Sequence, residues 1–210
     1  MSTEDPNSDR IGPQTTLSEI ALPPALGERF ATLYGIDDPP TDGREWVEGM
    51  RAGLAATRDR RPTVEDLCTT PDGEHAFVGA DGEMTYICVL DPLAYPFIVG
   101  ETGTVRSTTP VREETVEFRV REDGVDLSHE DAVVSLGVSD HLDEGGEPNL
   151  EAVYRQVCGY IQTFADAEEY EQWAAGVDAE TVALPAREGV AVAREIAVHL
   201  FDADADVTAA

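Results

Sequence analysis

The chain has 210 residues, of which 43 are acidic and 14 basic, for a net charge of −29. So few cations cannot line a nucleic-acid groove or a polybasic membrane patch. With 41% hydrophobic residues and aromatics spread along its length, the chain can bury a core, and disorder is expected only at its ends.

Every basic residue is arginine and lysine is absent. Acidic excess without lysine reads as a halophilic, acidic protein adapted to molar salt, where the Debye length is about 3 Å and self-repulsion is screened. No stretch reaches the roughly 18 apolar residues of a membrane span, and Met1–Gln14 lacks the apolar region of a secretory signal. Cys68, Cys88 and Cys158 are odd in number and far apart, unlike a secreted disulfide framework. These features predict a cytoplasmic protein with reduced thiols.

In chain order, residues 1–16 read as a disordered acidic N-terminus. Apolar residues recur at helical spacing from Leu17 to Tyr34, and Pro23-Pro24 favour a helix start. After the turn-rich run from Gly35 to Gly43, a second helix is expected from Arg44 to Arg58, with Trp46, Val47, Met50 and Leu54 on one side. A short third helix follows Pro62. His75–Val78 and Met84–Leu90 then form a hairpin about Gly79–Gly82. Helices followed by a hairpin outline a winged-helix-like region over residues 17–82.

Residues 83–201 read as an α+β core, a mixed or antiparallel β structure with flanking helices. Strands are expected at Val105–Thr109, Thr115–Arg121, Ala132–Val138, Val157–Phe164 and Thr181–Leu184. Helices are expected at Leu150–Gln156, at Glu168–Ala175 behind an Asp166 cap, and at Arg187–Phe201. Asp140–Asn149 is an acidic loop, and residues 202–210 are a tail.

Gly-rich phosphate loops, nucleophile elbows and His-Glu-x-x-His pairs are absent from the sequence. The histidines are scattered, and Cys68 with His75 lacks the companions of a zinc site. The informative segment is Tyr86 to Gly100. A strand is expected to run into Cys88, with Asp91 capping a helix and Pro92 at its first position. Cys88 would then lie just before a helix N-terminus, where the dipole favours thiolate, with the Asp91 carboxyl beside it. The plainer alternative is that Asp91 only caps and Cys88 is a small buried residue.

Residues 88–105, Cys-Val-Leu-Asp-Pro-Leu-Ala-Tyr-Pro-Phe-Ile-Val-Gly-Glu-Thr-Gly-Thr-Val, resemble the active-site segment of the organomercurial lyase (alkylmercury lyase) family. That family carries Cys-x-x-Asp, an apolar helix with proline, then Gly-x-x-Ala/Gly-x-Val. Residues 157–166, Val-Cys-Gly-Tyr-Ile-Gln-Thr-Phe-Ala-Asp, with Trp173 downstream, resemble the family segment bearing its second catalytic cysteine. The similarity spans roughly residues 62–201 in matching order.

The resemblance implies that Cys88 and Cys158 are paired mercury-binding thiols and that Asp91 relays a proton to the leaving carbon. It implies an organomercurial substrate, a hydrocarbon product and Hg(II) held by two cysteines, in the service of mercury detoxification. Hg(II) would pass to a low-molecular-weight thiol or a mercuric reductase; external thiol is required for release, and no cofactor is implied. Thiolate is the softest side-chain ligand and suits so soft a metal, while a nearby carboxylic acid can act as general acid. Two departures stand out: the helical region before residue 62 is short, and Ser107-Thr108-Thr109 stands where many members have a further cysteine. Cys68 has no counterpart in the family pattern; its plainer reading is a buried residue closing a short helix, its alternative an accessory thiol.

Two other classes fit parts of the sequence. A soft-metal carrier or thiol-based sensor would use Cys88 and Cys158 without the reaction. A transcriptional regulator would use the helices and hairpin, but Arg44, Arg51, Arg58, Arg60 and Arg61 form the one basic cluster, among several acids.

Overall fold

A computed structural model describes residues 17–57, 61–121, 124–142 and 150–201. The acidic N-terminus, most of the acidic loop after Asp140, the side chain of Leu54 and the tail lie outside the described residues. The fold is α+β, built on two antiparallel sheets.

Two helices come first. Helix α1 (Pro24–Tyr34) starts on proline and ends where Gly35 adopts a left-handed φ of 64°, its N–H returning to the carbonyl of Ala31. The helical spacing from Leu17 resolves into a single 3-10 turn, Leu17–Glu19, and then α1, which starts at the prolines as expected. Pro24 cannot donate the N–H that would carry a helix across this point. Helix α2 (Gly43–Thr57) buries Trp46, Val47 and Met50 as its spacing predicts. The ring of Trp46 lies 5.1 Å from that of Phe30 on α1. After it, the expected third helix is reduced to the 3-10 turn Val64–Asp66, where Thr63 and Asp66 form a capping box.

The larger sheet has the order β2-β1-β3-β4-β5, with β1 His75–Gly79, β2 Gly82–Tyr86, β3 Gly103–Thr108, β4 Thr115–Arg121 and β5 Gly124–Leu127. Pairing of β1 with β3 on its other edge makes the N-terminal hairpin part of this sheet. Strand β4 shows the period of two expected of a half-buried strand: Val116, Phe118 and Val120 are inward, Thr115, Arg119 and Arg121 outward. Strand β5 was not expected. It is only four residues long, Gly-Val-Asp-Leu, too short for alternation to stand out.

The smaller sheet has the order β7-β6-β8, with β6 Val133–Ser139, β7 Thr163–Phe164 and β8 Ala179–Pro185. Its central strand β6 is buried from Val134 to Ser139, hence its near-continuous apolar run. Helices α3 (Leu90–Val99) and α6 (Ala186–His199) pack on each other; α3 reaches β1 and α6 reaches β6 and β8, so the pair joins the sheets. One continuous core runs from Leu17 through α3 and both sheets to Phe201.

Helix α4 (Leu150–Gln156) leads into a turn, and α5 (Ala167–Ala174) covers β7. The Asp166 cap is as expected, its carboxylate accepting the Glu169 N–H at 2.9 Å. Arg112 grips the same carboxylate at 2.6 and 3.0 Å. Glu169 is fully buried and accepts the backbone N–H groups of Arg112 and Ala165, each at 2.8 Å. Together these contacts lock α5 onto the turn after β3. The anchor Trp173 packs its ring 5.1 Å from Phe164.

Candidate active site

Three separate segments bring sulfur to one place. Cys68 follows the 3-10 turn of Val64–Asp66 and lies alongside β2: its carbonyl accepts the Ile87 N–H at 3.0 Å, and Thr70 N–H reaches the Thr85 carbonyl at 2.9 Å. Cys88 sits between the end of β2 at Tyr86 and the start of α3 at Leu90. The expected strand into Cys88 therefore stops two residues early. Val89 N–H then bonds the Ile161 carbonyl at 3.2 Å, which draws the Cys158 turn against the Cys88 segment. Cys158 opens the 3-10 turn Cys158–Tyr160, where a strand was expected from Val157. Only Thr163–Phe164 of that stretch pairs with β6, because the turn aims Cys158 inward instead.

The sulfurs of Cys68, Cys88 and Cys158 all lie within 4.8 Å of one another, the one such metal-ligating group among the described residues. Those of Cys68 and Cys88 are 3.5 Å apart. All are nearly inaccessible, with exposures of 3%, 2% and 5%, and all are free thiols.

Asp91 does not cap. Helix α3 begins one residue earlier, at Leu90, so Asp91 lies inside its first turn. Its Oδ2 instead accepts the Cys68 N–H at 2.5 Å. Burial, and then the negative charge on Cys68, push its carboxyl well above the usual carboxylate range, against the pull of the Cys68 N–H. Hydrogen bonds from Cys158 and Cys88 lower the Cys68 thiol, whereas contact with Cys158 and then Cys68 raises Cys88, and contact with Cys68 raises Cys158. Among the three sulfurs negative charge is thus favoured on Cys68, beside a carboxyl that burial pushes toward its neutral form. Although Cys88 sits just before a helix start, its thiol is pushed up, first by its two sulfur neighbours and then by burial.

His75 braces the site without joining it. Fully buried at the start of β1, it meets Ser107 Oγ through Nδ1 at 2.6 Å and Gln162 Oε1 through Nε2 at 3.1 Å. Gln162 is tied in turn to Ser135, whose hydroxyl donates to the Tyr160 carbonyl at 2.8 Å. Burial lowers the His75 pKa to about 4, so the ring is neutral. The tautomer follows: Nε2–H donates to Gln162 and Nδ1 accepts from Ser107. Tyr154 of α4 donates its hydroxyl to the Asp66 carbonyl just before Cys68.

The structure brings Cys88, Asp91 and Cys158 together and adds Cys68, whose plainer sequence reading is a buried residue closing a short helix and whose alternative is an accessory thiol. Its one sequence signal is the odd count of cysteines. The contacts that place it, to Ile87, Thr85 and Asp91, are all long-range.

A buried set of three soft sulfur donors with a carboxyl beside it is a cluster suited to a soft metal ion. The family model described as MerB, alkylmercury lyase, matches residues 68–198, more than half of the chain, and the chain belongs to that family. No curated protein matches the chain at a significant level. Among solved structures it is similar to the one described as "Crystal structure of the mercury-bound form of MerB2", at 14% identity and a TM-score of 0.47. That likeness covers 61% of this chain and 60% of the other, so the chain spans about three fifths of that protein's length. No helix among the described residues is long and apolar enough to cross a membrane.

Proposed function

We propose that the chain is an alkylmercury lyase that cleaves the carbon–mercury bond by protonolysis. The observation that carries this reading is the buried carboxyl of Asp91, held on the Cys68 N–H beside three clustered thiols. A metal-binding site needs sulfur alone; a carboxylic acid there is suited to give a proton away.

Cys88 bonds to the mercury of an organomercurial R–Hg–X and X⁻ leaves, the Cys88 proton departing with it as H–X. A second thiol adds to mercury, which loads electron density onto the metal and weakens the bond to carbon. The electron pair of that bond takes the Asp91 proton, so R–H departs and mercury stays Hg(II). Asp91 recovers its proton from the second thiol, which ends as thiolate on the metal. Net, two thiols and R–Hg–X give R–H, H–X and Hg(II) dithiolate. Cys88 and Cys158 hold the metal, Asp91 is the general acid, and Hg(II) leaves to an external thiol or a mercuric reductase. The role is mercury detoxification in a reducing cytoplasm.

The test is benzene release from phenylmercury or methane release from methylmercury, with excess thiol. Tight Hg(II) binding with no hydrocarbon from either compound would leave a carrier or sensor, the reading that a multi-thiol site also favours.

A further inference from the structure

We infer that Cys68 is a third sulfur ligand for the mercury ion, so that this chain holds its product in three-coordinate, all-thiolate form. The inference deepens the lyase reading and rests on it for the role of the ion as product. Its geometric basis is independent of catalysis.

The three sulfurs are mutually within 4.8 Å. A soft metal with bonds to sulfur of about 2.3 Å places three ligands roughly 4 Å apart in a trigonal plane, so the observed spacing needs little adjustment. Each sulfur is delivered by anchored backbone and not by a mobile side chain. Cys68 is fixed on both sides, through its N–H to Asp91 at 2.5 Å and its carbonyl to Ile87 at 3.0 Å. Ile161 accepts the Val89 N–H at 3.2 Å, which sets the Cys158 turn against Cys88. No histidine competes: both ring nitrogens of His75 are engaged by Ser107 and Gln162. The donors are therefore all soft, which favours a thiophilic ion over zinc or a harder metal.

A third bond changes what happens after cleavage. An external thiol must then displace three sulfurs in succession, so the ion is held longer against small thiols and is handed over stepwise.

The experiment loads the full-length protein with one equivalent of Hg(II) chloride and measures mercury–sulfur coordination by X-ray absorption. Three sulfur neighbours are expected in the wild type, falling to two shorter bonds in Cys68→Ser. Retention of Hg(II) against a monothiol should fall at least tenfold in that variant. Two sulfur neighbours in the wild type would overturn the inference without any need for the variant. Hydrocarbon release is measured separately: if it persists while the ion is two-coordinate, only the role of Cys68 fails, and if it is absent while the ion is three-coordinate, only the lyase reading fails.

Discussion

Asp91 accepts the backbone N–H of Cys68 at 2.5 Å, so one contact fixes both the acid and the third sulfur. Asparagine can keep that contact through its amide oxygen but carries no acidic proton. Asp91→Asn is therefore expected to bind Hg(II) as the wild type does and to lose at least a hundredfold in hydrocarbon release, the usual scale of a general acid. Gas chromatography of the released hydrocarbon, beside a mercury-binding titration, checks both halves. Unimpaired turnover would remove Asp91 from the mechanism.

Cys88→Ser and Cys158→Ser should each abolish turnover, because a hydroxyl is a hard, weak ligand for mercury. Cys68→Ser should behave differently. With Cys88 and Cys158 intact it keeps cleavage, while its product leaves faster. Single-turnover and steady-state rates measured together separate the two behaviours.

His75 supplies a pH dependence of stability. Its folded pKa is about 4, against about 6.5 in an unfolded chain. Between those values the unfolded state binds more protons, so this ring's contribution to stability rises with pH and is complete above about 6.5. The total is about 3 kcal/mol, gained as pH climbs from about 4 to 6.5. Urea unfolding of the wild type and His75→Gln across that range should show the slope flattened in the variant. Equal slopes would mean that His75 does not titrate on unfolding.

Glu169 carries two backbone N–H groups, of Arg112 and Ala165, although it is fully buried. Glu169→Ala leaves both donors without their acceptor and should cost roughly 3 kcal/mol. Its exposed neighbour Glu168 is the control, with a change to alanine expected to stay within about half a kcal/mol. Thermal melts read both.

The net charge of −29 predicts a dependence on salt. Screening over about 3 Å in molar salt removes repulsion that dilute buffer restores. If dialysis costs about 2 kcal/mol, the Tm falls by roughly 4–8 °C. An unchanged Tm would show that the acidic surface is not an adaptation to salt.

Local signals were enough for much of this molecule. Pro24 and Gly35 bracket α1, the alternation of Val116, Phe118 and Val120 marks β4, and Asp166 announces α5, because each is decided by residues near in sequence. Family resemblance points to Cys88, Asp91 and Cys158, whereas spacing alone favours the plainer reading of a capping Asp91 and a small buried Cys88. What sequence misplaced was decided by distant partners. Asp91 turned from capping to the Cys68 amide, and Val157–Phe164 gave up most of its strand to form the turn that presents Cys158. The recruitment of Cys68 depends on pairing beside β2, which no local pattern encodes.

The three sulfurs are drawn from segments remote in the chain, with Cys68 and Cys158 roughly ninety residues apart. An ion bridging that span would act as a removable staple, closing a loop for which a disulfide would be worth about 4–5 kcal/mol in the chain-entropy account. Cargo and architecture are then linked: the loaded protein should resist unfolding, and surrendering its metal should loosen the joint between the large sheet and the turn that carries Cys158.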